Sequence, residues 1–222
     1  MKGLYAIVDT KSLALRKIDP VAYARALLQA RPAALQLRAK DMPAREILAL
    51  LRVINPMCRA AGVPLVANDR ADLAVLAGCA MVHIGQQDLP YELVRRIAPE
   101  LAIGISTHNM SELHRALMAK PCYVAYGPVF ETATKANADP AVGIEGLRDA
   151  CEVARAAGIP LVAIGGITLA NAKGVSHWAS ACALISDLYP PGATLRGVTE
   201  RAMQFQRIMG AFAYDVEATL RP

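Results

Sequence analysis

Two carboxylates carry the first suggestion of chemistry in this chain. Asp69 follows a short apolar run at 65–67, and Asp88 follows a second at 80–84; each run gives way abruptly to polar residues, Asn68-Asp69-Arg70 and Gly85-Gln86-Gln87-Asp88. If the two runs are parallel neighbouring strands, both acids stand at the same end of a sheet. There they can hold one Mg²⁺ between the protein and a phosphate, since Mg²⁺ commonly takes one or two carboxylates and completes its shell with phosphate oxygens and water. Asn68 belongs to the same cluster. Asp72 falls in a short helical pattern at 72–77 and reads as a cap or an ion-pair partner.

Other apolar runs end in the same way. Gln36, Arg38 and Lys40 alternate along the exit of another run. A period of two puts them on one side of an extended chain, where an amide can meet a heterocycle and two cations can meet phosphates; solvated strand-end charges are the plainer reading. Thr132-Ala133-Thr134-Lys135 offers two hydroxyls and an ammonium within a long loop at 127–143, a set able to hold a diphosphate, although an ordinary polar loop has the same composition. Gly165-Gly166 and Ser186 follow the last two apolar runs. Glycines let backbone N–H groups approach a phosphate, and they also serve tight turns that need positive φ. His83 lies inside an apolar run and reads as a satisfied core histidine. His108 is better placed, at a strand exit, but no carboxylate orients it in the sequence. His114 and His177 read as helix residues.

The elements that must position these groups alternate regularly. Strands are expected at 3–8, 33–37, 63–67, 80–84, 101–105, 123–126, 160–164 and 182–185, as unbroken apolar runs suited to burial on both faces. Helices are expected between them, with Asp19 and Pro20 opening one, Pro56 kinking or dividing another over 42–61, Asn109 or Ser111 capping a third, and Thr168 capping a fourth. Eight such units, about 25 to 28 residues apart, point to a single α/β domain, a (β/α)8 TIM barrel over 1–210 with a C-terminal tail at 211–222. An open doubly wound sheet is the alternative, but no switch point interrupts the pattern. In a barrel, every one of these polar exits lies at the C-terminal mouth.

Composition narrows the function. Hydrophobic residues make up 55% of 222 and aromatics only 5%, enough for one large core. No signal peptide or membrane-length run is visible, so the chain is expected to be cytoplasmic, with no membrane partner. Five cysteines without a paired spacing read as small core residues rather than a zinc site or disulfide framework. The net charge of +5 is dispersed; Arg45, Arg52 and Arg59 share one helix face and read as solvated, which argues against nucleic acid. A homo-oligomer stays open.

Taken in order, the stretches LYAIVD, LQLRAKD, NDRADLA, VHIGQQDLP, GISTHN, YGPVFETATK, AIGGI and LIS make the chain one that resembles the thiamine-phosphate synthase (thiamine-phosphate pyrophosphorylase) family over about 3–186. The resemblance implies a barrel enzyme, a transferase that joins a pyrimidine diphosphate to a thiazole phosphate and releases pyrophosphate. It implies that Gln36, Arg38, Lys40 and Asn68 bind the pyrimidine diphosphate and that Asp69 and Asp88 bind Mg²⁺. It assigns Ser106 to the pyrimidine amino group or diphosphate, Thr132 and Thr134 to the thiazole phosphate, Lys135 to the diphosphate, and Gly166, Ile185 and Ser186 to the thiazole-phosphate cradle. Lys40, Lys135 and Ser106 are then the residues expected to act on the reacting groups. The chain departs from the family pattern before the eighth strand, where Trp178 stands in place of a small turn, and at Asp187, which is expected to point away from a phosphate or cap the next helix. A thiazole tautomerase-like barrel and a non-catalytic sensor of phosphate ligands are the competing readings.

Overall fold

The computed structural model describes residues 1–132 and 140–211; Thr134, Lys135 and the expected tail past Ala211 lie outside the described residues. Eight strands form a closed barrel in sequence order: β1 (Gly3–Asp9), β2 (Ala34–Arg38), β3 (Leu65–Asn68), β4 (Met81–Ile84), β5 (Ala102–Thr107), β6 (Tyr123–Tyr126), β7 (Leu161–Ile164) and β8 (Ala181–Leu184). Every pairing is parallel, and β8 closes on β1 with Gly3 opposite Ala181. The described helices are α1 (Thr10–Ala14), α2 (Pro20–Leu28), α3 (Ala44–Ala61), α4 (Ala71–Ala77), α5 (Tyr91–Ile97), α6 (Met110–Met118), α7 (Gly143–Ala156), α8 (Ala172–Ser176) and α9 (Leu195–Ala211). None of them is long and apolar enough to cross a membrane. The TIM barrel expected from the spacing is the architecture found.

Strand alternation divides the core in two. Leu4, Ala6 and Val8 of β1 join the large cluster beneath the helices, while Tyr5 and Ile7 join a smaller one inside the barrel with Ala34, Val66, Met81, Tyr123 and Val162. Followed towards the mouth, the inward series turns polar: Ala34 gives way to Gln36 and Arg38, Val66 to Asn68, Met81 to His83, Gly104 to Ser106. The apolar floor and the functional mouth are thus successive layers of the same strand faces.

Local chemistry explains the helix ends. Asp19 accepts from the Ala22 amide at 2.7 Å with Pro20 at the first helical position, and Asn109 accepts from the Glu112 amide at 3.0 Å. Pro56 does not divide α3, which runs unbroken from Ala44 to Ala61. Pro56 and Arg52 both lie on the exposed face, so water can satisfy the carbonyl that the proline leaves without an amide partner. Buried Asn55, on the other face, donates to the carbonyls of Ala77 and Gly78 at 2.8 Å each and ties the end of α4 to α3.

At the polar exit of β1, Asp9 caps α1, accepting from the Ser12 amide at 2.8 Å. Two expectations need correction. Thr168 is not the cap of α8, whose N-cap is Asn171; the Thr168 carbonyl instead accepts from the Asn171 and Ala172 amides. Cys122 is exposed, unlike the other four cysteines, which are buried.

Candidate active site

A cavity of about 600 Å³ opens at the C-terminal ends of the strands. Gln36, Arg38, Lys40, Asn68, Asp69, Asp88, Ser106, Thr132, Gly166, Ile185 and Ser186 all line it. The register is staggered, with Gln36 opposite Val66, Asn68 opposite His83 and Ser106 opposite Ala125, and the parallel strands carry all these polar exits to the same mouth.

On the β2–β4 side the site is charged. Lys40 Nζ lies 3.1 Å from Asp69 Oδ2. Asp69 has φ +62°, a left-handed conformation that aspartate tolerates better than most residues, and its amide donates to the His83 carbonyl at 2.8 Å. Asp88 is held by the Gly85 amide, which donates to its Oδ2 at 2.6 Å. Burial pushes the Asp69 carboxyl up from its ordinary range, the adjacent Asp88 carboxyl pushes it the same way, and Lys40 opposes both. Two half-buried, adjacent carboxylates, one of them already meeting Lys40, form a donor set that fits a divalent ion. Among the described residues no cluster of three or more His, Cys, Asp or Glu donors exists. A pair of carboxylates suits a hard ion that draws its remaining ligands from phosphate and water, as Mg²⁺ does.

Arg38 is less free than its spacing suggests. It forms an ion pair with Asp9, which is 3% exposed. Burial alone would raise the Asp9 carboxyl, but hydrogen bonds from Ser12 and the Arg38 guanidinium outweigh it and hold the group below the usual carboxylate range. Arg38 reaches the cavity as one half of a fixed pair, which sets its direction at the cost of some of its field.

The β7–β8 side is built differently. Gly165 (φ +97°) and Gly166 (φ +63°) turn the chain at the end of β7, and a Cβ on Gly166 would sit 2.5 Å from the Glu131 carbonyl oxygen. The turn that needs positive φ and the lining of the cavity are therefore the same feature. A 3-10 turn, Ser186–Leu188, follows β8. Asp187 points away from the cavity as expected: its Oδ2 accepts from the Leu169 amide at 3.1 Å and from Arg201 at 2.7 Å. Trp178 packs, partly buried, against the helix-side core.

Reasoning from the residues alone missed two features. His83 is not confined to the core: it lines the cavity, with Nδ1 2.7 Å from the Tyr123 hydroxyl and Nε2 2.7 Å from Ser106 Oγ. Its place two residues after the inward Met81 was the available signal. His108 does have an orienting carboxylate. Glu112, one helical turn on, accepts from the His108 amide at 2.8 Å and lies 2.9 Å from its Nδ1. The spacing of four was visible, but the intervening helix cap at Asn109 disguised it. Asp72 is paired with Arg70 as expected, the shorter contact being 2.5 Å.

Fold and mouth together define a class: a parallel barrel whose cavity sets a charged wall against a glycine-lined one, an arrangement suited to phosphorylated small molecules. A family model described as thiamine monophosphate synthase matches residues 4–188. The chain is 40% identical to the thiamine-phosphate synthase of Koribacter versatilis over 214 residues, covering 93% of this chain and 95% of that one. It is 41% identical to the enzyme of the same name from Anaeromyxobacter dehalogenans over 184 residues, covering 82% and 78%. The solved structure of thiamine phosphate pyrophosphorylase from Pyrococcus furiosus superposes with a TM-score of 0.81 at 29% identity, covering 95% and 96%. This chain belongs to the thiamine monophosphate synthase family.

Proposed function

We propose that the protein is a thiamine-phosphate synthase, joining 4-amino-2-methyl-5-(diphosphooxymethyl)pyrimidine to 4-methyl-5-(2-phosphooxyethyl)thiazole with release of pyrophosphate. The observation that carries this reading is the opposition, across one cavity, of Lys40, Asp69 and Asp88 to Gly166 and Ser186. One wall suits a metal-bound diphosphate and the other a phosphate monoester.

In the reaction the methylene carbon–oxygen bond breaks, pyrophosphate leaves with the electron pair, and the thiazole nitrogen forms the new carbon–nitrogen bond. The aminopyrimidine ring donates electrons to the methylene as positive charge develops, so no protein nucleophile is needed. Asp69 and Asp88 would hold Mg²⁺, which would supply positive charge to the departing diphosphate. Lys40, tethered to Asp69, stands ready for the negative charge that grows on the leaving group, and Arg38 acts from its fixed position beside Asp9. Gln36 and Ser106 orient the pyrimidine. The backbone at Gly166, Ile185 and Ser186 fixes the thiazole phosphate so that its nitrogen faces the methylene. Thr132 lines the same cavity, and Thr134 and Lys135 follow it in sequence as further phosphate contacts. The protein acts in the cytoplasm on small molecules alone.

Incubating the protein with both substrates and Mg²⁺ should yield thiamine phosphate and pyrophosphate in equal amounts, and a chelator should stop both. Absence of product sinks the reading. Binding of the thiazole phosphate without any dependence on Mg²⁺ or the pyrimidine diphosphate would favour the tautomerase-like barrel, and binding of both without turnover the sensor.

A further inference from the structure

The outside of the barrel carries an apolar face that the cavity does not use. Of the ten large hydrophobic side chains left exposed among the described residues, five belong to two neighbouring helices: Val75 and Leu76 on α4, and Leu89, Leu93 and Ile97 just before and along α5. Their exposures run from 43% to 58%. None of them lines the cavity. Exposed aliphatic residues scattered singly are ordinary, whereas five together present on the order of 400 Å² of apolar surface, a size that marks a contact.

The pattern along α5 is ordered. Leu89, Leu93 and Ile97 recur every four residues and form one row along the helix. Glu92 and Arg96, three residues further on from Leu89 and Leu93, form a second row beside it. Both are exposed, and neither has an ion-pair partner among the described residues. Arg95, by contrast, is committed to the Pro99 and Leu101 carbonyls at 2.8 and 3.0 Å. The opposite face of α5 is fixed to the barrel through Val94 and Ala98, 0% and 2% exposed, so both outer rows stand on an anchored helix.

We propose that α5, with the adjoining Val75 and Leu76 of α4, forms a two-fold interface with a second copy of this chain. The face is its own complement. Packed antiparallel about an axis beside Leu93, the two copies of α5 bring Leu93 against the partner's Leu93 and Leu89 against the partner's Ile97. The same axis sets Glu92 opposite the partner's Arg96 and Arg96 opposite the partner's Glu92, two equivalent ion pairs at the rim of an apolar centre. A parallel packing would instead set like charges against each other. A face made for an unrelated partner has no need of such self-matching. Two apolar patches and their charged rows together reach the roughly 1,200 Å² of total buried surface at which specific interfaces begin.

The test is the oligomeric state of the full chain, read by sedimentation velocity over a dilution series, in wild type, Leu93→Glu, Arg96→Glu and the swap Glu92→Arg with Arg96→Glu. Wild type should be a dimer. Leu93→Glu, at the axis, should weaken it about 100-fold or more. Arg96→Glu places four acids together and should weaken it at least about tenfold, and the swap should restore it. An intrahelical role for Glu92 and Arg96 would not move the dimer constant in this way. Circular dichroism and the unfolding midpoint should stay near wild type; should one variant fail to fold, the remaining ones decide. As a second reading, Leu93→Cys in a Cys122→Ser background, which removes the exposed thiol, should cross-link to its own copy on oxidation. A wild-type dimer indifferent to all three substitutions overturns the proposal, because another face then makes it. Monomeric wild type overturns it as well. Shielding of Leu93→Cys from a thiol reagent in that monomer would put another segment of the same chain on the face, and free labelling would leave the face to a different protein.

Discussion

The two walls of the cavity do related work with opposite materials. The β2–β4 wall is made of charges, and two of them are already paired within the protein: Arg38 with Asp9, and Lys40 with Asp69. The β7–β8 wall contributes Gly165, Gly166, Ile185 and Ser186, backbone and one hydroxyl, with its nearest acid, Asp187, turned away to Arg201. A diphosphate that must leave needs charge that strengthens as its bond breaks. A phosphate that serves only as a handle needs shape and fixed amide dipoles. The comparison assigns chemistry to the first wall and orientation to the second, and substitutions on either side can break that division.

The largest effect is expected on the charged wall. Asp88→Ala should lower Mg²⁺-dependent turnover by about 100-fold or more while leaving the circular dichroism and unfolding midpoint close to wild type, because the residue is half-buried at the mouth and outside both core clusters. Full activity in this variant would refute the metal assignment. Gly166→Ala should act mainly on the second substrate. It forces a side chain into φ +63° and places a Cβ 2.5 Å from the Glu131 carbonyl oxygen, so the turn must shift. A roughly tenfold rise in KM for the thiazole phosphate is expected, with a stability loss of about 1–2 kcal/mol, and little change in KM for the pyrimidine diphosphate. Equal damage to both KM values would erase the division between the walls. A smaller effect is expected from Glu112→Gln, which keeps a hydrogen bond to His108 but removes the charge that orients it; a twofold to fivefold fall in kcat/KM, read from initial rates, fits a residue beside the site rather than at its centre.

The difference between the walls also explains what could be read in the sequence. The barrel was legible because eight apolar runs, each closed by polar residues, carry their own periodicity; the charged wall was legible because acids and bases at strand exits are rare enough to be noticed. Gly165 and Gly166 were ambiguous, and the structure shows why: one pair of glycines answers both to backbone strain and to the cavity. What stayed hidden were partnerships across the barrel. Tyr5 and Tyr123 lie 118 residues apart, yet their hydroxyls meet. The partner of Asp9, Arg38, lies 29 residues on. Closure of the sheet makes such pairs, and no local window contains them.

The Asp9–Arg38 pair supplies the subtlest test of the charged wall. Asp9→Asn keeps the cap on α1, since asparagine accepts from an amide as well as aspartate does, but it leaves Arg38 facing an uncharged group. Turnover should fall only a few-fold, because Arg38 still reaches the cavity. The pH dependence of stability is more telling. The folded state holds the Asp9 carboxyl below its unfolded value, so the charged form is the one that folding favours. That stabilisation is complete above the unfolded pKa of about 4 and disappears as pH falls through the depressed folded value. Urea unfolding should therefore show wild type ahead of the variant by about 1–2 kcal/mol at pH 7, with the gap closing as the pH is lowered below about 4. A gap that stays constant into acid would mean that packing, not charge, makes the difference. Arg38 would then be aimed by its neighbours, and the charged wall would owe less to internal pairing than its geometry implies.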